Sequence, residues 1–267
     1  MFNSAQGKTA IVWSCTHDRP EVSKKRFEWL GKLIEDIKPD YTVDLGDGPE
    51  MASLNSFDTR YPAKMIGQNY GEDIDSYNEA QEVLWGRFKK KKKKRPMRIG
   101  FQGNHEYRID RAIALDPRLE AKGGKYGVSL SHLNTNKHFD EYHPYENGGP
   151  KIAVYDGVAY AHFFSSGNMG TAMSGIHHAA GLINLLGYSA TCGHSHKRDF
   201  KAKDGAGLYG KGLNGLVVGC YKGAAETWAG QSNKDWWKGV VIKRNIDGGS
   251  YDPQFVSLEA LEAEYGQ

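Results

Sequence analysis

Five short stretches of this 267-residue chain gather side chains able to hold a metal ion: Cys15-Thr16-His17, Gly46-Asp47, Gly103-Asn104-His105-Glu106, His162 and Gly193-His194-Ser195-His196. They contain five of the ten histidines, where random scatter would leave most elsewhere. Imidazole, thiolate and carboxylate are the donors of zinc, iron and manganese sites, and the amide oxygen of Asn104 adds a neutral one. The pairs Cys15/His17 and His194/His196 are spaced by two, which on an extended segment sends both side chains to one face.

The surrounding elements place these stretches. Residues 9–13 (TAIVW) read as a strand that breaks at SCTHDRP, and Pro20 suits the first turn of a following helix. Phe27, Leu30, Leu33, Ile34 and Ile37 recur at three- and four-residue spacing, forming the buried face of a helix that Lys38-Pro39-Asp40 ends. A second strand is expected over 41–45 and stops at Gly46; residues 50–71 read as loop, 72–88 as helix, and 97–101 as a third strand that stops before Gly103. Segments 151–155 and 158–162 form a hairpin about Asp156-Gly157. A helix over 171–186 carries His177 and His178, strand 188–192 stops at Gly193, and 216–221 and 238–244 complete the sheet material. Strands alternating with helices predict a layered α/β fold. In such folds ligands collect beyond the carboxyl ends of strands, because loops converge there while the sheet stays rigid. Five coincident strand stops therefore point to one site.

Taken in order, the stretches resemble the calcineurin-like metallophosphoesterases, whose five-part pattern is DxH, GDxx[DE], GNH[DE], a lone His after a strand, and GHxH. The counterparts are CTH at 15–17, GDGPE at 46–50, GNHE at 103–106, AHF at 161–163 and GHSH at 193–196. The resemblance implies a four-layer αββα sandwich of two mixed β-sheets flanked by helices, with one domain over 1–267 and an inserted loop, helix and lysine-rich segment around 50–95. It also implies two divalent ions, Mn²⁺, Zn²⁺ or iron, bridged by Asp47. One would be held by Cys15, His17, Asp47 and His196, the other by Asp47, Asn104, His162 and His194. His105 would face the phosphate as a proton donor, with Glu50 as the acid that orients it. Arg108 and Arg111 bring cations near the phosphate. Paired cations activate water and neutralise charge on the phosphoryl oxygens, which suits hydrolysis of phosphoesters.

Cys15 departs from the pattern, which has Asp there. A thiolate is softer and favours Zn²⁺ or iron over Mg²⁺. The residue is either such a ligand or a plain buried thiol. Asp18 is not its substitute, because strand alternation turns it to the other face. His132, His138, His143, His177 and His178 fit no slot of the pattern and read as structural or surface residues; Cys192 and Cys220 read as core.

Composition bounds the alternatives. Hydrophobic residues are 39%, charged 25% and aromatic 12%, which excludes a disordered chain, a coiled coil and a collagen-like repeat. No apolar run reaches the ~18 residues that span a bilayer, and the amino terminus lacks a secretory pattern. With three cysteines, too few and too odd a set for a disulfide framework, the chain reads as cytoplasmic and without a membrane partner. Net charge is +3, yet residues 89–95 (KKKKKKR) hold seven positive charges, so the remainder is net acidic. That run is either a solvated segment or a contact to nucleic-acid phosphates. The compact GHSH pattern resembles the phosphodiesterase and nuclease branch, including forms encoded by phages. Phosphodiesters are therefore the expected substrates, DNA and RNA among them. A phosphomonoesterase or protein phosphatase and a non-catalytic metal-binding scaffold of the same fold are the rival readings.

Overall fold

In the computed structural model, residues 7–56, 62–90, 95–121, 126–207, 210–223 and 227–266 are described. The first half contains β1 (Lys8–Trp13), α1 (Lys25–Ile37), β2 (Tyr41–Asp44), α2 (Tyr70–Lys90), β3 (Met97–Phe101), α3 (Tyr107–Leu115), α4 (Thr135–His138) and β4 (Glu141–His143). The second contains β5 (Ala153–Tyr155), β6 (Val158–Tyr160), β7 (Ser165–Ser166), β8 (Thr171–Ala172), α5 (His178–Leu186), β9 (Ser189–Cys192) and β10 (Arg198–Lys203). It ends with β11 (Leu213–Val218), β12 (Gly239–Asp247), β13 (Ser250–Ser257) and α6 (Leu258–Tyr265).

A six-stranded sheet runs β13-β12-β1-β2-β3-β4 and a five-stranded sheet runs β10-β11-β9-β6-β5; both are mixed. Their shared interior follows from strand alternation. In β1, Ala10 and Val12 face the second sheet and meet Val158, Tyr160, Leu216 and Val218, while Ile11 and Trp13 face outward. Against that outer face lie Phe27, Leu30 and Ile34 of α1, Leu84 and Trp85 of α2, and Leu261 of α6. The outer face of the second sheet, Ala159, Ala190 and Val217, is covered by Ala179 and Leu182 of α5. The order is helix, sheet, sheet, helix, as the resemblance implied. Among the described residues, no helix is long and apolar enough to cross a membrane.

Several boundaries differ from expectation for physical reasons. α1 begins at Lys25 rather than at Pro20, because residues 17–18 continue in hydrogen-bonded contact with 47–48 before the chain turns. The helix expected over 171–186 starts only at His178: Gly175 sits at φ +120°, and Thr171–Ala172 pair with Ser165–Ser166. β13 escaped notice because Pro253 interrupts its run. Proline is tolerated there because β13 is an edge strand.

Candidate metal centre

Strand register brings the site together. Trp13 pairs with Asp44, and Asp44 with Gly100, so β1, β2 and β3 end side by side; Tyr160 and Thr191 align β6 with β9. The loops then stay joined: Cys15 N donates to Gly46 O at 2.9 Å, His17 N to Asp47 O at 3.0 Å and Gly193 N to His162 O at 3.0 Å. Two glycines make this approach possible. A Cβ at Gly103 would fall 2.3 Å from Asp47 N, and one at Gly193 would fall 1.9 Å from Ser14 Oγ. Beneath the loops the Glu106 carboxylate accepts three backbone N–H groups, from Asp47 and Gly103 (both 3.0 Å) and Gly48 (2.8 Å).

On this base seven side chains expected to bind metal, together with His105 and Glu50, converge. His162 is fully buried and donates its Nδ1–H to Leu45 O at 2.7 Å, which turns Nε2 into the cluster. That nitrogen faces Asn104 Oδ1 at 2.9 Å, His194 Nδ1 at 3.2 Å and Asp47 Oδ2 at 3.2 Å. His17 donates Nδ1–H to the Glu50 carboxylate at 2.8 Å, and its Nε2 faces His196 Nε2 at 3.0 Å and Asp47 Oδ2 at 3.8 Å. The Cys15 sulfur groups with His17 and His196, and again with Asp47 and His162. Acceptor atoms thus crowd against acceptor atoms with too few protons to satisfy them. A cation in each cluster resolves that conflict, so the donor set fits metal binding.

Charge and strain mark the same residues. Burial pushes His17 and His196 well below the ordinary histidine range, His194 to about 4 and His105 to about 3, keeping these rings neutral. Burial works against the Asp47 carboxylate, yet the group is held well below its usual value, chiefly by His162 at 3.2 Å, whose own value Asp47 raises above the ordinary histidine range against the effect of burial. Burial, then Asp47, pushes the Cys15 thiol well up. Eleven described non-glycine residues have positive φ, and five of them are Cys15, His17, Asp47, His194 and His196. Such conformations cost of order 1–3 kcal/mol each and persist where their surroundings enforce them, most often at functional sites.

Left-handed backbone also corrects the reason given for the spaced pairs. Residues 14–17 and 193–196 are not strand, so Cys15 and His17 converge through two left-handed turns rather than through a pleat. Asp18 is directed away, as expected, but by partners: it binds Arg26 Nη2 at 2.7 Å, Lys24 Nζ at 2.5 Å and Ser76 Oγ at 2.6 Å. Glu50 reaches His105 differently from expectation. Its backbone carbonyl accepts His105 Nδ1–H at 2.7 Å, with the carboxylate 3.6 Å away, while that carboxylate serves His17. Arg108 Nη2 lies 3.3 Å from His105 Nε2, and its Nη1 donates to Glu50 O at 2.9 Å.

Three contributors were missed. The role of Glu106 was hidden, although the residue stood in GNHE. Lys222, almost fully buried, lies with Nζ 5.3 Å over the Trp236 ring, and Trp236 stands edge-on to His196 at 4.5 Å. Lys222 follows β11 in a stretch, Gly219-Cys220-Tyr221, that matches no part of the five-part pattern, and Trp236 lies just before β12. Elsewhere, His132 bonds Tyr70 Oη, His138 bonds Asn78 and His143 bonds Tyr155 Oη. A groove of about 720 Å³ is lined by residues that include Ile34, Asp40, Phe88 and Arg95 at the opposite ends of β2 and β3, with no site residue in its walls. Two residues of the basic run lie at that end: Lys89 pairs with Glu82 and Arg95 with Asp140, while Lys91, Lys92, Lys93 and Lys94 lie outside the described residues.

No protein-family model and no curated protein sequence matches the chain. Solved structures with a similar arrangement include an uncharacterized protein from Streptococcus pneumoniae described as a predicted phosphoesterase, 12% identical over 96% of this chain and 92% of that one, with TM-score 0.38. Another is the Pseudomonas putida nuclease MPE, 12% identical over 92% and 87%, TM-score 0.34. A purple acid phosphatase from yellow lupin is 12% identical over 96% and 52%, TM-score 0.42.

Proposed function

We propose that this chain is a metal-dependent phosphoester hydrolase of the calcineurin-like kind, acting on phosphodiesters such as DNA or RNA in the cytoplasm. The observation that carries the reading is the convergence of Cys15, His17, Asp47, Asn104, His162, His194 and His196 on a strained, glycine-permitted cradle of acceptor atoms. Cys15, His17, Asp47 and His196 would hold one divalent ion, and Asp47, Asn104, His162 and His194 the other. When bound, the ions supply Lewis acidity and a nucleophile at neutral pH.

The chain's own groups do the rest. His17 and His162 are locked in the tautomers that present Nε2, by the Glu50 carboxylate and the Leu45 carbonyl. His105, neutral and held at Nδ1 by Glu50 O, presents Nε2 toward the Arg108 guanidinium, where a phosphoryl or leaving oxygen would meet both. Arg108 supplies fixed positive charge for developing oxyanion character.

Metal analysis of the purified protein, together with hydrolysis of a bis-aryl phosphodiester and of the matching monoester, tests the proposal. Bound divalent metal with diester turnover supports it. Monoester turnover alone returns the chain to the phosphomonoesterase reading, and no metal with no turnover leaves a scaffold.

A further inference from the structure

The cluster opens at two ends. Beyond His194 lies a cleft of about 400 Å³ lined by Ala172, Met173, Ser174, Gly175, Ser195 and Lys197. Beyond Arg108 lies another, of about 200 Å³, whose walls include Ser53, Asn55, Ser56, Met65, Arg111 and Leu115. Each joins the cluster through one residue. His194, which lines the first, stacks edge-on to His162 at 5.1 Å, whereas Arg108, which lines the second, is tied to His105, whose ring stands 4.4 Å from His17.

Each cleft carries a cation on its wall; the cleft at Lys197 is otherwise neutral, and the one at Arg111 also holds Asp116, whose carboxylate is paired with Arg118. Around His194, the Ala172 and Met173 side chains offer apolar contact and the Ser174 and Ser195 hydroxyls offer hydrogen bonds, while Lys197 is exposed and forms no ion pair among the described residues. In the second cleft, Arg111 Nη2 donates to Ser56 Oγ at 3.4 Å. A phosphomonoester has one organic arm and needs one cleft. A phosphodiester inside a strand has two, and each arm runs on to another phosphate. Volumes of 200 and 400 Å³ are of the order of a single nucleotide unit.

We propose that the two clefts receive the two arms of an internal phosphodiester in a single-stranded nucleic acid, with Lys197 and Arg111 each contacting a flanking phosphate. The inference rests on the hydrolase reading above and adds the form of the substrate to it.

The test compares wild type with Lys197→Ala, Arg111→Ala and Ser174→Trp, the last filling the larger cleft, and uses exposed Lys203→Ala as a charge control. Two readouts are taken: kinetics of the metal-loaded protein on oligothymidylate and on a bis-aryl phosphodiester, and anisotropy of fluorescent oligothymidylate with the protein in EDTA. Each cleft variant should raise KM for the oligonucleotide about tenfold more than for the aryl diester. The salt slope of binding should fall by about one for each cation removed, with Lys203→Ala unchanged. Equal losses on both substrates, or a salt slope unmoved by both alanine variants, would overturn the assignment of the clefts while leaving diester hydrolysis standing. If the metal-loaded wild type turns over neither substrate, the hydrolase reading fails, and EDTA binding alone still decides for or against the clefts.

Discussion

At Asp47 two demands meet in one side chain: Oδ2 lies 3.2 Å from His162 and 3.8 Å from His17, while Oδ1 accepts the backbone N–H of His105 at 2.8 Å. Removing it takes a donor from both clusters, so Asp47→Ala should bring hydrolysis to background and sharply reduce metal content by elemental analysis. Activity within a few-fold of wild type would count against a shared bridge. His105 contacts no ion in the proposed scheme. His105→Ala should therefore retain metal while kcat falls by about 10²–10⁴-fold, the usual worth of a positioned proton-transfer group. In the proposed scheme Cys15 is the residue at which metal choice would be set. Its thiol is held protonated by burial and by Asp47, so binding there must release a proton and should weaken as pH falls. Cys15→Asp should raise activity in Mn²⁺ relative to Zn²⁺, measured as the ratio of rates in the two metals; an unchanged ratio would make Cys15 a packing residue.

Among the loops the decisive contact is the one Glu106 makes. Its carboxylate, raised to about 8 by burial and then by Asp47, accepts from Asp47, Gly48 and Gly103 and so ties the β2 and β3 loops together. Glu106→Gln replaces one acceptor oxygen with an amide that faces backbone donors. Leaving a buried donor without a partner costs about 1–3 kcal/mol. The expected outcome is lower thermal stability and weaker metal retention, although no ligand has been removed. Wild-type metal affinity in this variant would show that the loops hold their shape without the carboxylate.

Across the whole molecule the two sheets enclose a lysine. Lys243 of β12 is fully buried, donates to Thr191 Oγ1 at 2.6 Å and Tyr160 Oη at 3.1 Å, and lies over the Tyr160 and Tyr251 rings at 4.3 and 4.2 Å. These partners are neutral, and burial lowers its pKa well below 10.5. The unfolded chain then binds more protons than the fold wherever pH lies between the lowered value and the ordinary one. Stability should therefore rise with pH across that window and level off near 10.5. Lys243→Met should stabilise the protein by about 1–2 kcal/mol near neutral pH. Each kcal/mol moves Tm by roughly 2–4 °C in a chain near this size. The gain should shrink toward pH 10.5, and calorimetry at both pH values checks the sign.

The site was legible in sequence because metal donors are few in kind and each stood beside a glycine or a strand end: GNHE and GHSH announced themselves, and alternating apolar runs announced the layered α/β fold. Helix limits and edge strands were less legible, since Gly175 and Pro253 act through backbone angles and sheet position rather than through hydrophobic pattern. How Cys15 and His17 come to share a face was not readable either, because that depends on left-handed turns enforced by the neighbouring loop. Only the packed structure assigns the Glu50 carboxylate to His17 and its carbonyl to His105, or seats Lys222 beside His196 through Trp236. Local sequence determines which atoms are offered; which atom meets which is decided by contacts between segments far apart in the chain.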